Sequence, residues 1–395
     1  MHSSNADDSS LISEHQNALL FSAEKFFGGD PIPKKIRRAF LDTPRQNFAQ
    51  RYYSSSKRKW VELEKEDLKS FLPEIYSDHP LCIYRDENGR SLSTVSQPSL
   101  VLYMLDLLNL KPGHRVFELG GGSGWNAAMM GRLVGPGGKV VSVEIIDCLV
   151  ESAQASLNDL GLSQVDFSSG DAFEALEAQP PFDRGIFTAS AWDLPAAFFE
   201  KITEGGLLVF VSKAQPNYDL LTLLRKESEN VFVSKLNFPC SFVPVTGDHS
   251  KPDTTAIPVG SLSKLQLNQE LSWNDIKLPD TEIENFIEFL KLVFDCQQTY
   301  LIDGKGKGFD EEFWGLKYDE ESLLLFNEER LLLYGDDISL ISARRAAKRW
   351  QKAKCPTIED LYLSIHLSTQ APESTNDQWV VNRGDSCYLW SLTPL

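Results

Sequence analysis

Residues 116–125 read Val-Phe-Glu-Leu-Gly-Gly-Gly-Ser-Gly-Trp, an apolar run followed by closely spaced glycines and then a helix-like stretch. At Gly120, Gly122 and Gly124 the backbone can turn tightly and approach a ligand without interference from a Cβ. The helix that follows offers free N–H groups and the positive end of its dipole. A dinucleotide fingerprint would be G-x-G-x-x-G, with its third glycine one residue later. The G-x-G-x-G spacing, with Glu118 just upstream, suits S-adenosylmethionine, which has no pyrophosphate to cradle. Glu144 closes the next strand-like run, where a carboxylate can accept hydrogen bonds from both ribose hydroxyls. Asp171, in Ser-Ser-Gly-Asp-Ala-Phe, follows the third run, where an adenine amino group is expected. The cofactor-binding candidates are therefore Glu118, Gly120, Gly122, Ser123, Gly124, Glu144, Ile145, Asp171 and Ala172. No metal site is expected.

These residues need a scaffold, and residues 94–245 supply its rhythm. A helix over 97–109 ends before Lys111-Pro112-Gly113, and strands are expected at 115–119, 139–144, 164–168, 183–188, 206–212 and 230–235, with helices at 125–133 and 147–161. Pro181-Phe182-Asp183 opens the fourth strand and Glu204-Gly205-Gly206 precedes the fifth. Strands alternating with helices predict an α/β fold with a doubly wound sheet and ligands at the carboxyl ends of the strands. With the cofactor candidates above, the expected fold is the Rossmann-like one of class I S-adenosylmethionine-dependent methyltransferases. Upstream, residues 1–9 read as disordered, Leu11 to Phe27 as an amphipathic helix, 32–48 as a short helix ending at Pro44, and the charged 53–70 as a solvated helix or surface excursion. The polar text after Thr246 reads as a linker. Apolar runs at 323–326, 330–335 and 359–367, with a helix at 342–354, predict a second, smaller α+β domain. The expected division is thus a 1–93 lead-in, a 94–246 methyltransferase core, a 247–261 linker and a 262–395 C-terminal domain.

With 395 residues, 42% hydrophobic and 24% charged, the chain has material for two or three domains with a sizeable core. Its net charge of −17 argues against nucleic acid as the main partner, because phosphate binding needs clustered Lys and Arg. Cysteines at 82, 148, 240, 296, 355 and 387 form no CxxC pair and read as reduced thiols. The polar, acidic start is unlike a signal or transit peptide, and no apolar run nears the roughly 20 residues of a membrane span. No membrane partner and a cytoplasmic location are expected; the oligomeric state is open.

Further motifs narrow the reading. Thr94-Val95-Ser96-Gln97-Pro98 precedes an apolar helix; upstream lie Pro44-Arg45-Gln46-Asn47-Phe48 and Tyr76-Ser77-Asp78-His79-Pro80-Leu81. Downstream are Thr188-Ala189 after the fourth strand and a late Phe242-Val243-Pro244. On these elements residues 32–245 resemble the protein-L-isoaspartate (D-aspartate) O-methyltransferase family, whose signature Thr-Ile-Ser-x-Pro stands here as 94–98. The 53–70 insert and everything after 246 depart from the compact repair enzyme. Phe313-Trp314-Gly315-Leu316 looks like extensions on family members that modify ribosomally made peptides.

The resemblance implies a carboxyl O-methyltransferase acting on L-isoaspartyl or aspartyl residues of proteins or peptides, the methyl ester then closing to a succinimide with loss of methanol. It makes Ser96 the catalytic residue, adds Thr188 to the cofactor site, and gives Val95, Gln97, Pro98, Ala189, Val243 and Pro244 to substrate binding. A carboxylate with a pKa near about 4 is already ionised at neutral pH. No general base is then needed, and alignment carries the catalysis. Other readings remain beside this one. Ser96 could simply cap the helix after it, and His79 reads as a turn residue. Trp125 and Trp192 could flank the cofactor or only pack. The basic residues Arg344, Arg345, Lys348, Arg349, Lys352 and Lys354 could be a solvated helix face or guide an acidic partner. Alternative functions are a dedicated aspartyl methyltransferase tailoring a ribosomal peptide, and a cofactor-binding adaptor with little turnover. An anionic substrate would be repelled by the chain's overall charge, so recognition must be local.

Overall fold

The computed structural model describes residues 2–215, 218–247, 249–250, 256–262, 264–294, 296, 298–303 and 310–395. The chain forms two compact units: Met1–Ser190, Glu200–Phe210 and Phe242–His249 make the first, and Ala191–Phe199, Val211–Ser241 and Ser250–Leu395 the second.

The first unit begins with α1 (His2–Ala23) and α2 (Lys34–Leu41). Disorder was expected over 1–9, yet α1 already starts at His2. A polar first stretch can be helical when the turns that follow are anchored. Leu19, Leu20 and Ala23 are buried, and buried Gln16 donates to the Leu41 carbonyl at 3.1 Å. Next come β1 (Arg51–Ser54), β2 (Lys59–Glu62), α3 (Leu68–Ile75), β3 (Leu81–Arg85) and β4 (Ser91–Val95), the strands forming an antiparallel sheet in the order β2-β1-β3-β4. The charged 53–70 stretch is therefore a hairpin leading into α3 rather than one solvated helix. Its stability comes from cross-strand rings: Tyr53 meets Trp60 edge-on at 5.7 Å, and the Arg51 guanidinium lies 4.0 Å over Trp60.

Then α4 (Pro98–Leu108), β5 (Arg115–Leu119), α5 (Trp125–Val134), β6 (Lys139–Glu144), α6 (Asp147–Asp159), β7 (Val165–Ser169), α7 (Ala172–Glu177) and β8 (Phe182–Phe187) follow in alternation. Helix α8 (Ala196–Lys201) leads into β9 (Ile202–Gln215). In the first unit β9, β8, β5, β6 and β7 lie side by side and parallel, the register running Val116↔Val140 and Val116↔Arg184 around the central β5. This is the expected doubly wound sheet. Strand order changes direction at β5, so its carboxyl end is the switch point where a ligand crevice opens.

The second unit contains β10 (Tyr218–Ser228) and β11 (Val231–Cys240), then β12 (Ile257–Pro258), β13 (Leu267–Leu271), α9 (Ile283–Val293), β14 (Thr299–Ile302), β15 (Glu311–Lys317), β16 (Ser322–Phe326), β17 (Leu331–Gly335), α10 (Ile338–Lys352), β18 (Tyr362–Leu367), β19 (Gln378–Asn382) and β20 (Ser386–Ser391). Here the expected boundary is corrected. Residues 211–241 were assigned to the methyltransferase core, but β11 pairs with β18 from the tail, Val231 opposite His366. The polar run after Thr246 suggested a single crossing. In fact long-range antiparallel pairing draws 211–241 into the second unit before 242–249 return to the first. Of the expected linker, residues 248 and 251–255 lie outside the described residues. A further sheet runs β12-β14-β15-β16-β17-β13, with β16 buried on both faces. The segment 313–316 is part of β15. A Cβ on Gly315 would meet the Tyr300 ring at 2.2 Å, and the Lys291 Nζ lies 4.0 Å over Trp314. Packing accounts for these residue types.

Candidate active site

The carboxyl ends of β5, β6 and β8 open into a cavity of about 960 Å³, a volume that counts the solvent at its mouth. The glycine loop forms its floor. The Gly120 and Gly121 N–H groups both donate to the Val143 carbonyl at 3.0 Å, tying the loop to β6. Gly120 has φ +87° and Gly122 φ +54°, conformations that favour glycine. Gly121, which spacing arguments passed over, is as constrained: a Cβ there would sit 2.5 Å from Ser142 Oγ and the Phe167 ring. Gly124 does not line the cavity. It caps α5 at φ +82°, and its missing side chain makes room for Ala153 of α6, 3.2 Å from where a Cβ would stand.

Glu144 ends β6 and is 4% exposed. It accepts from the Gly122 N–H at 2.6 Å and the Ile146 N–H at 2.9 Å, one bond to each oxygen. Burial pushes its carboxyl up, and the backbone donors oppose that rise. Each oxygen has a further lone pair for a ligand hydroxyl. Glu118 is fully buried and accepts from Asn126 Nδ2 and the Ser142 hydroxyl, both at 2.6 Å. Burial drives it up to about 7, the two hydrogen bonds holding it down. Asp171 caps α7 through Oδ1, 2.8 Å from the Phe173 N–H, which leaves Oδ2 for a donor on a ligand. Thr188 lines the cavity too, but its hydroxyl bonds the loop, donating to the Leu119 carbonyl at 2.8 Å and to that of Gly120. Ser123, Ile145 and Ala172 complete the expected set on the wall, and Ile145 is 40% exposed.

The opposite wall comes from the 94–98 loop and from 242–246. Val95, Ser96, Ala189, Val243 and Pro244 reach the cavity; Gln97 and Pro98 do not. The Gln97 amide turns instead to Asp78 Oδ2 at 3.2 Å and Ser99 Oγ at 3.0 Å, and Pro98 is buried as the first residue of α4. Asp78 Oδ1 accepts from the Ser99 N–H at 2.9 Å, so Asp78 caps α4. That leaves the Ser96 hydroxyl without a hydrogen bond among the described residues, on a residue that lines the cavity. The helix-cap reading of Ser96 is thereby replaced. Residues 242–246 are stitched beside Ser190, whose N–H donates to Val243 and whose carbonyl accepts from Val245, each at 2.9 Å.

The residue that holds this wall is Arg45, which the sequence offered only as part of a motif. It is 0% exposed and donates to the carbonyls of Ile75, Ser77, His79, Val95 and Ser96 at 2.5, 3.2, 2.9, 3.0 and 3.0 Å. Burial lowers its pKa to about 9, which leaves it cationic at neutral pH. His79 itself sits in the turn as expected, its carbonyl an anchor for Arg45. Trp125 is 2% exposed and donates from Nε1 to the Thr43 carbonyl at 3.1 Å, mainly a packing role. Trp192 belongs to the second unit, with Arg383 4.0 Å over its ring.

The chemistry of the donor set decides what fits. Glu118, Glu144 and Asp171 line the cavity, and no Lys, Arg or His does so among the described residues. Such a lining would repel a pyrophosphate and accept a cationic ligand bearing hydroxyls and an amine, which matches S-adenosylmethionine.

Comparison with known proteins agrees. Residues 58–250 match the family model described as protein-L-isoaspartate(D-aspartate) O-methyltransferase. A protein-L-isoaspartate O-methyltransferase of Fervidobacterium nodosum is 35% identical over 199 residues, 49% of this chain and 96% of that relative. A solved structure titled protein-L-isoaspartate O-methyltransferase shares the fold with a TM-score of 0.55 at 24% identity, covering 88% of this chain and 96% of its own. The Ignicoccus hospitalis enzyme of the same name is 33% identical over 212 residues, 54% of this chain and 89% of that relative. With that identity across nearly a whole relative, the chain belongs to the protein-L-isoaspartate (D-aspartate) O-methyltransferase family.

Proposed function

We propose that this protein transfers a methyl group from S-adenosylmethionine to the free α-carboxylate of L-isoaspartyl residues in proteins or peptides. The observation that carries the reading is the lining itself: among the described residues it holds three carboxylates, no cation, and a serine whose hydroxyl is unengaged. Glu144 would hold the ribose hydroxyls, Asp171 Oδ2 the adenine amine, and the glycine loop the remainder. When bound, S-adenosylmethionine supplies an electrophilic methyl on a sulfonium. Glu118, whose carboxyl burial pushes up, would be held as the anion by that positive charge.

Ser96 would donate its hydroxyl hydrogen to one oxygen of the incoming carboxylate and so fix the other toward the methyl group. The carboxylate arrives ionised, so Ser96 orients rather than deprotonates. Val95, Ala189, Val243 and Pro244 would shape the slot for the substrate backbone and keep water from the acceptor oxygen. The ester then reacts without the enzyme: the following backbone nitrogen attacks the ester carbonyl, loses its proton, and methanol leaves as the succinimide ring closes. No disulfide links cysteines among the described residues, which fits a reducing compartment, and we extend the proposal to a cytoplasmic enzyme.

Labelled S-adenosylmethionine with matched peptides containing Asp or isoAsp tests the reading. A base-labile methyl ester on the isoAsp peptide alone is the expected result. Methylation of Asp in one peptide sequence only would make this a tailoring enzyme, and cofactor binding without turnover would make it an adaptor.

A further inference from the structure

We propose that the exposed face of α10 docks an acidic polypeptide segment. Residues 338–358 contain Arg344, Arg345, Lys348, Arg349, Lys352 and Lys354 and no Asp or Glu. The rest of the chain sums to 33 − 56 = −23, so this is a local reversal of sign. Leu340, Ala343, Ala346, Ala347 and Trp350 are buried, and Trp350 Nε1 donates to the Pro356 carbonyl at 2.9 Å. Those contacts fix the helix rotation and leave Arg344, Arg345, Lys348 and Lys352 exposed on the other side.

Among the described residues no ion pair neutralises the stripe. None of these four residues, nor Lys354, forms an ion pair among the described residues. Asp275 feels Arg344 through space, but its carboxylate is engaged by the Ser272 N–H at 2.7 Å and hydroxyl at 2.9 Å. Arg349 is differently placed, donating to Asn376 Oδ1 at 3.3 Å. Pairs 344/348 and 348/352 put like charges four residues apart, an arrangement unfavourable to the helix. The helix dipole compensates only in the last turn, at Arg349 and Lys352. Arg345 and Lys348 form no ion pair among the described residues and Arg344 has only its through-space attraction to Asp275, so an external anion would stabilise all three.

Spacing and reach select the kind of anion. Along the helix, 344, 348 and 352 are about 6 Å apart. Same-face side chains of an extended peptide repeat every ~6.6–6.8 Å, so alternate Asp or Glu residues can meet successive cations. The stripe is only about 12 Å long. A nucleic acid, with a charge every ~1.7 Å, would overrun it onto a net-negative molecule, whereas a short acidic segment would not. The helix belongs to the second unit and the methyl-transfer cavity to the first, and the proposed role does not depend on the reading of that cavity.

The test is fluorescence anisotropy of a labelled ten-residue alternating Glu-Ser peptide titrated with the full chain. We expect saturable binding at about 50 mM salt that weakens at least roughly tenfold by about 300 mM. The fourfold variant Arg344→Gln, Arg345→Gln, Lys348→Gln, Lys352→Gln should lose roughly tenfold or more while its unfolding temperature and its methylation of a short neutral isoAsp peptide stay unchanged. If that variant does not fold, Lys348→Glu alone should still weaken binding by about threefold. No saturable binding, or binding equal in the variants, overturns the proposal. So does tighter binding of a single-stranded DNA of equal charge, which would make this a nucleic-acid face. Self-association at rising concentration that the variant abolishes would assign the face to a second copy of the chain.

Discussion

The two walls of the cavity are built by different means. The donor wall hangs on the ends of β5, β6 and β8: Gly120 donates to Val143 and Gly122 to Glu144, across only about twenty residues of sequence. The acceptor wall is a loop, and loops need something to hold them. Here a buried cation does so, Arg45 gathering five carbonyls from residues 75–96, while Asp78 anchors Gln97 and Ser99. The donor wall is held by topology; the 94–98 part of the acceptor wall is held by side chains, Arg45 foremost. One site can thus tune its two substrates separately.

The sharpest way to break that distinction is Arg45→Ala. It strands five buried or half-buried carbonyls and should cost about 3–5 kcal/mol of folding stability, measured by urea unfolding. Arg45→Lys keeps the charge but cannot reach all five acceptors, and should fall between. In whatever fraction remains folded, methylation should drop far more than S-adenosylmethionine affinity. Equal losses would mean the walls are not held independently.

Ser96→Ala asks the same question without disturbing the scaffold, since the hydroxyl bonds nothing among the described residues. Losing a hydrogen bond to a charged group should slow methylation by roughly ten- to a hundredfold, or about 1.5–3 kcal/mol. Cofactor affinity by calorimetry should hold. A wild-type rate would remove Ser96 from the reaction.

The smallest expected effect lies on the donor wall. Glu118 has a folded-state pKa of about 7 against 4.5 ordinarily, so the folded protein holds a proton that the unfolded chain has released. Stability must then fall as pH rises through that window and level off above it, by roughly 3 kcal/mol at most. Glu118→Gln should flatten this slope. Asn126 can turn its amide so that Oδ1, which now lacks a partner, accepts from the new side chain. Net stabilisation near pH 8 should be about 1 kcal/mol. Denaturation midpoints at pH 5 and 8 measure it; an unchanged slope would mean Glu118 is already ionised in the free protein.

The same contrast explains what could be read from the residues in order. Strand β5, the glycine loop, β6 and the helix ends follow local periodicity and turn chemistry, so Glu144 and Asp171 could be placed before any coordinates. Arg45 could not, because its partners lie 30 to 51 positions away and a backbone carbonyl leaves no mark on a sequence. Gln97 and Pro98 were misdirected for a related reason: their neighbour Asp78, twenty residues upstream, captures the loop's polar groups. Strand β10 was missed and β11 assigned to the wrong unit, since antiparallel pairing to β18 is decided more than a hundred residues later. The hairpin at 51–62 was hidden by its charge, which outweighed the alternating Tyr53 and Trp60 in a reading by composition.

The passage of the chain out of the first unit at 211 and back at 242 has a consequence for how the protein is made. Ribosomes deliver residues in order at ~5–20 per second, so Val243 emerges on the order of ten seconds after the glycine loop. Until then Ser190 has neither of its backbone partners on 242–246, and the crevice lacks a wall. Bringing 242 back to 210 closes a loop whose entropy cost is about 3 kcal/mol while 211–241 remain unpaired. Pairing of β10 with β11 shortens that loop to a hairpin and brings its ends together. A nascent chain should therefore acquire methylation activity in one late step, once residues 242–246 have cleared the exit tunnel, and not gradually as the parallel strands emerge.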